Sequence, residues 1–209
     1  ITEGVEIHHD GDLPARTGLG SSSAFAVGLL NALGTLKHKM PDKMRLAQEA
    51  IHLEQTVLKE NVGCQDQMIS ALGGLQRIEF RRDGSIHADP VIISRERTAQ
   101  LQDHMLLYFT GFSRIASVIV TEQLERINDS KTQLHRMHKM VDESIAMLTG
   151  TGDLTDFGTL LDEGWRLKRT LSSKVSSPVI DEIYNNAKSA GALGGKLLGA
   201  GGGGFMMLF

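Results

Sequence analysis

Apolar and polar residues alternate over Gly4-Val5-Glu6-Ile7-His8, the two-residue period of a strand. Over residues 24–36 the spacing becomes helical, and Ala24, Val27, Leu30 and Ala32 form a small apolar face suited to close packing on a sheet. Pro41-Asp42 marks the next helix start, with Leu46, Ala50, Leu53 and Val57 as its inner face. A short helix is predicted from about residue 65 to residue 72, stopped by Gly73-Gly74. Residues 75–80 and 85–88 then alternate around Asp83-Gly84, a hairpin signal.

The character changes near Arg95. Residues 104–109, HMLLYF, predict a buried strand, followed by Thr110-Gly111 and a very long helical pattern. In that pattern Ile119, Gln123, Ile127, Leu134, Met137, Val141, Ile145 and Leu148 recur at three-, four- and seven-residue steps. A second helix over residues 154–171 carries Phe157, Leu160, Leu161 and Leu167 on one face. Ser177-Pro178 supplies an N-cap and a first-turn proline for a helix closing at Gly191. Strands from about Gly195 and Gly204, joined by a glycine loop, finish the chain.

Composition narrows the function classes. The 209 residues carry 41% hydrophobic and 22% charged side chains, ordinary globular values. A net charge of −3 without a basic cluster argues against a nucleic-acid partner, and Arg81-Arg82 runs straight into Asp83-Gly84 as a solvated turn. No apolar run reaches about 18 residues, so no membrane span is expected. The single cysteine excludes an intramolecular disulfide and fits a reducing, cytoplasmic setting. The eight histidines are scattered, and the absence of HxxxH or CxxC spacing argues against a transition-metal site.

The most telling segment is GDLPARTGLGSSSAF, residues 11–25. Gly18-Leu19-Gly20 followed by three serines opens an apolar helix. Such a turn brings backbone close to a ligand, and the helix's unpaired amides and positive dipole end face an anion. The hydroxyls of Ser21, Ser22 and Ser23 could bond phosphate oxygens or a magnesium ion. A plain glycine turn with a serine N-cap is the alternative, and no lysine follows to make a GxxxxGK[ST] loop. Gly199-Ala-Gly-Gly-Gly-Gly204 places five glycines in six residues, more than a turn needs, so its backbone must approach something closely. Arg114, after Thr110-Gly111-Phe112-Ser113, could fork onto a sugar phosphate or pair with a local acid. Arg16 beside the first glycine loop has the same two readings, toward phosphate or toward solvent. Asp66 could be an ordinary first-turn acid, Glu54 a solvent-facing one, and Lys196 a structural or solvent lysine.

Three ordered segments share a family resemblance: PARTGLGSSS, then Glu54 with Gly63-Cys64-Gln65-Asp66-Gln67, then GGKLLGAGGGG ending at Gly204. They resemble the GHMP small-molecule kinases, named for galactokinase, homoserine kinase, mevalonate kinase and phosphomevalonate kinase. The wording PARTGLGSSSAF, VGCQDQ, ALGG and GGKLLGAGGGGF is most similar to the sugar and heptose-phosphate kinases, above all the D-glycero-D-manno-heptose 7-phosphate group.

The resemblance implies an α+β fold: a truncated N-terminal two-layer βαβ domain over residues 1–95 and a C-terminal ferredoxin-like domain over residues 96–209. It also implies that residues 1–209 are the middle and back of a longer kinase, whose first motif precedes Ile1, and that the fragment alone is a poor enzyme. The implied cofactors are ATP and Mg2+. Arg16, Gly18, Leu19, Gly20, Ser21, Ser22, Ser23, Gly201 and Gly202 are the implied nucleotide site. Ser22 and Glu54 would hold the metal, Asp66 would be the catalytic base, and Gly199 and Arg114 would meet the substrate. The two glycine loops are expected beside one another. The implied partner is a small-molecule sugar or sugar phosphate, with heptose 7-phosphate at its anomeric oxygen as first choice and a homodimer as a candidate assembly. Another kinase of the family, acting on fucose, galactose, glucuronate or an isoprenoid precursor, is the near alternative. A nucleotide-binding regulator that has lost turnover is the alternative from another class.

Overall fold

The computed structural model describes residues 4–13, 15, 17–113 and 116–209. Arg16 and Arg114 lie outside the described residues. The chain divides into two compact units, one taking in Gly20–Gly74 with the residues before Thr17, the other Thr17–Leu19 with Leu75–Phe209. The hairpin, assigned above to the first domain, thus falls in the second unit.

The first unit is helical. Helix α1 (Ser21–Leu36) begins at Gly20, whose φ of 70° turns the chain into it. Its buried residues are Ser23, Ala26 and Val27; Val27 lies on the expected small-residue face, whereas Ala24 is exposed and Ser23 and Ala26 take the inner positions beside it. It packs on α2 (Lys43–His52) and α3 (Gln65–Leu72), not on a sheet. Asp42 caps α2 as its sequence suggests, accepting from the Arg45 amide at 2.9 Å. Leu46, Ala47 and Ala50 are buried, but the helix then widens into a π turn over Leu53–Val57, where the Leu58 amide bonds the Leu53 carbonyl. This wider turn breaks the 3.6-residue seam. Glu54 becomes the last inward side chain at 2% exposure, and Val57, expected in the core, is 58% exposed. At the far end of α3 the Lys43 ammonium donates to the Leu72 carbonyl at 3.1 Å.

Residues 4–8 form no strand, and Val5 and Ile7 are exposed. Alternation alone does not make a strand; a partner must complete the ladder, and none pairs with it among the described residues.

The second unit opens with the antiparallel hairpin β1 (Gln76–Phe80) and β2 (Ile86–Pro90), in register from Gln76↔Pro90 to Phe80↔Ile86. Helix α4 (Arg95–Asp103) follows, capped by Ser94. Arg97 on it donates to the carbonyls of Met147 and Leu148, at the end of a later helix, α6. Strand β3 (Leu106–Phe109) is exposed along its length, contrary to the expected buried strand; it is one edge of the sheet β3-β5-β4, and the other edge, β4, is the one that lies in the core. The long helical pattern is two helices, α5 (Ala116–Glu125) and α6 (Lys131–Thr149). Asn128-Asp129-Ser130 lie at the break, residues whose side chains compete for backbone bonds and favour turns.

Helix α7 (Thr155–Leu171) and helix α8 (Pro178–Ser189) close the core over β4 (Gly195–Leu197) and β5 (Phe205–Leu208). Ser177 caps α8 with Pro178 in the first turn. Ile119, Trp165, Val175, Ile180, Tyr184, Leu197 and Met206 pack together at the centre. Tyr184 donates to the buried Asp162 at 2.5 Å, and its hydroxyl pKa is raised by burial and by that carboxylate.

Candidate active site

Within the first unit, the start of α1 gathers the residues singled out above. Ser22 Oγ donates to Glu54 Oε1 at 2.7 Å, and Ser23 Oγ donates to Oε2 at 2.9 Å. Gln67 Nε2 donates to the same Oε2. The reverse amide orientation would set an oxygen against the carboxylate, so the donor assignment follows from chemistry. Three neutral donors fill three of the roughly four acceptor sites of this buried carboxylate, leaving its charge uncompensated and room for a further partner.

Asp66, in the first turn of α3, sits directly on the α1 start. A Cβ built on Gly20 would lie 3.3 Å from Asp66 Cγ and 3.5 Å from its Oδ2. Burial pushes the Asp66 pKa up, and the nearby negative charge of Glu54 adds to the rise. A carboxylate that holds its proton more firmly is also a better proton acceptor.

These residues suit magnesium. The donor set is all oxygen, as a hard cation requires, and the Ser22 hydroxyl keeps lone pairs after donating to Glu54. Gln67 Oε1 is buried without a partner, an oxygen that a cation's water could satisfy. No group of three or more His, Cys, Asp or Glu is placed to hold a metal among the described residues. Mg2+ held by one or two carboxylates plus substrate phosphates needs no such cage.

Within the second unit, Thr17–Leu19 lies against the second glycine loop. A Cβ on Gly18 would be 2.6 Å from the Leu198 carbonyl oxygen, and one on Gly199 would be 2.7 Å from Gly18 Cα. The two glycine segments therefore meet, as expected. The remaining glycines approach the chain's own backbone. The Gly202 amide donates to the Val175 carbonyl at 2.8 Å, with Gly201 packed on Val175 beside it, and the Gly204 amide donates to the Phe112 carbonyl at 2.8 Å. A Cβ on Gly204 would fall 2.1 Å from the Thr17 carbonyl oxygen, which itself accepts from the Phe205 amide. Gly201 to Gly204 are buried and Gly199 is exposed.

Two residues make contacts to which the sequence reading assigned no role. Gln67 is fully buried on the same face of α3 as Met68 and Ala71, and a polar residue on that face was the available signal. Lys168 lies three residues after the fully buried Trp165 on α7 and donates to the carbonyls of Leu197 and Gly199.

Comparison with known proteins comes down on two halves of one family. The GHMP kinases N terminal domain matches residues 2–74, and the GHMP kinases C terminal domain matches residues 143–209. A D-glycero-alpha-D-manno-heptose 7-phosphate kinase of Campylobacter jejuni is 32% identical over 206 residues, 97% of this chain and 60% of that protein. The L-fucokinase/L-fucose-1-P guanylyltransferase of Bacteroides fragilis is 28% identical over 98% of this chain and 22% of its own length. Among solved structures, a D-glycero-D-manno-heptose 1-phosphate kinase from Bacteroides thetaiotaomicron aligns with a TM-score of 0.66 at 28% identity, over 94% of this chain and 54% of that one. The chain spans 60% or less of each of these relatives. No helix among the described residues is long and apolar enough to cross a membrane.

Proposed function

Because the chain belongs to the GHMP kinases, by its match to both family domains, we propose that it transfers the γ-phosphoryl group of ATP to a sugar or sugar-phosphate hydroxyl. The acceptor we favour is D-glycero-D-manno-heptose 7-phosphate, phosphorylated at its anomeric oxygen. The observation that carries this reading is the cluster at the start of α1: Ser22, Ser23 and Glu54 joined by hydrogen bonds, with Asp66 against Gly20.

In this scheme Gly18, Leu19 and Gly20 cradle the polyphosphate, helped by Ser21 and the free amides of the first turn of α1. Ser22 and Glu54 hold Mg2+, which when bound would neutralise charge on the phosphates. Gln67 and Ser23 fix the Glu54 carboxylate. Asp66 accepts the proton of the acceptor hydroxyl as that oxygen attacks the γ-phosphorus and ADP leaves. Gly199, exposed beside Gly18, borders the acceptor, while Gly201 and Gly202 shape the loop behind it. Arg16 and Arg114 supply positive charge to phosphate groups, a role that rests on their sequence positions.

The heptose preference is supported by the 32% identity to the Campylobacter jejuni kinase. A second reading, phosphorylation of a free deoxyhexose such as fucose, is supported by the 28% identity to the Bacteroides fragilis enzyme. ADP formation measured over a panel of heptose 7-phosphate, fucose, galactose and mevalonate separates them. We expect kcat/KM for heptose 7-phosphate to exceed the others at least about ten-fold, the scale of about 1.4 kcal/mol in transition-state binding. A preference for fucose moves the acceptor, and ADP formation with none of the four overturns the kinase reading for this panel.

A further inference from the structure

Two lysines of the second unit have no role in that scheme, and they lie near each other. The Lys168 ammonium donates to the Leu197 carbonyl at 3.2 Å and to the Gly199 carbonyl. Among the described residues no carboxylate pairs with it. On its own helix Arg166 and Arg169 are taken by Asp162 at 2.6 Å and Asp181 at 3.1 Å. The charged group facing it from β4 is Lys196, and the glycine loop and Thr17–Leu19 bring no titratable side chain. Burial, with the Lys196 charge added, pulls the Lys168 pKa down to about 7, and burial lowers that of Lys196 as well.

Lys168 is half-buried, and setting a partly desolvated ammonium against two carbonyls is a costly way to fill space, since a methionine would fill it without the charge. The gain is in geometry. Leu197 and Gly199 flank Leu198, whose carbonyl oxygen is the atom Gly18 packs against. A segment with five glycines in six residues loses much conformational freedom when it is ordered. While Lys168 is protonated, charge-assisted hydrogen bonds, roughly twice as strong as neutral ones, hold the carbonyls on both sides of the contact.

We propose that Lys168 is a positioning residue that clamps residues 197–199 onto Gly18 and so presets the first glycine loop for the phosphates of a nucleotide. The clamp stands on the loop geometry alone; its consequence for nucleotide affinity rests on the kinase reading above.

The test combines amide hydrogen exchange over residues 18–19 and 199–204 with MgATP binding by calorimetry and thermal unfolding. It compares the wild-type protein with Lys168→Met, Lys168→Arg and the control Lys188→Met, whose lysine bonds the Leu193 carbonyl at 2.7 Å and lies 3.9 Å from Asp162 Oδ1, without touching residues 197–199 among the described contacts. Lys168→Met is expected to speed exchange in both segments at least ten-fold and weaken MgATP binding at least ten-fold, while Tm at pH 6 holds or rises. Lys168→Arg recovers most of the affinity, and Lys188→Met changes neither exchange nor affinity. Should Lys168→Met not fold, Lys168→Gln, which keeps a donor without the charge, takes the same measurements. Wild-type exchange in the Lys168 variant overturns the clamp, and faster exchange with unchanged MgATP affinity overturns its role in presetting the loop. A wild-type protein that binds no MgATP overturns the kinase reading, and exchange then decides the clamp by itself.

Discussion

Gly18 and Gly199 meet backbone to backbone, with no room for a side chain on either: the added Cβ would come within 2.6 Å of the Leu198 carbonyl oxygen in one case and 2.7 Å of Gly18 Cα in the other. Both residues also hold positive φ, 82° and 66°. Gly18→Ala and Gly199→Ala are each expected to cost about 1–3 kcal/mol, from left-handed strain plus the clash. Chemical denaturation checks the stability change, and ATP affinity should fall in the same variants.

Asp66→Asn removes the proton acceptor and keeps the shape. Turnover is expected to drop about 100-fold or more, the usual scale for a lost general base, with ATP binding retained. Steady-state kinetics beside equilibrium ATP binding checks this, and wild-type turnover would take Asp66 out of the catalytic role.

Glu54→Gln leaves Ser22, Ser23 and Gln67 facing a neutral amide. The Mg2+ concentration for half-maximal activity should rise about ten-fold, corresponding to about 1.4 kcal/mol of lost cation binding. Gln67→Leu withdraws one donor from a buried carboxylate and should cost about 1–3 kcal/mol of stability. A magnesium titration of activity checks the first and urea denaturation the second.

Lys168 makes stability depend on pH in a definite direction. Its folded pKa of about 7 lies below the ordinary 10.5, so between those values the unfolded chain binds the extra proton. Stability from this group therefore rises with pH from about 7 toward 10.5, and below about 7 the partly buried charge exacts its full cost. Lys168→Met should flatten that rise, most visibly between pH 7 and pH 9. Denaturation midpoints of both proteins across that range are the measurement, and parallel curves would contradict it.

Local chemistry made much of the framework legible. Asp42, Ser177-Pro178 and Gly73 mark their helix ends because capping is decided by one or two residues. The serine run stands out by its own composition, whereas Glu54 and Asp66 are singled out only by the resemblance of their segments to the GHMP kinases. The π turn was not legible, since nothing in Leu53-Glu54-Gln55-Thr56-Val57 departs from a helical pattern; the widening is a tertiary choice. The break between α5 and α6 was hidden by apolar residues that keep helical spacing across Asn128-Asp129-Ser130. The strand expected at residues 4–8 depended on a partner, which no local pattern reports. Gln67 and Lys168 act through contacts thirteen or more residues away, so neighbouring sequence says little about them.

The hydrogen bonds from Ser22 and Ser23 to Glu54 join the beginning of α1 to the end of α2 and its π turn. The first carries about half a positive charge and the second about half a negative one, to which Glu54 adds a full unit. A lone phosphate would meet attraction at one end and repulsion at the other, and so would a lone metal ion. In the proposed scheme the two helix termini would suit an ion couple instead, a cation and a polyanion entering together and already neutralising each other in part.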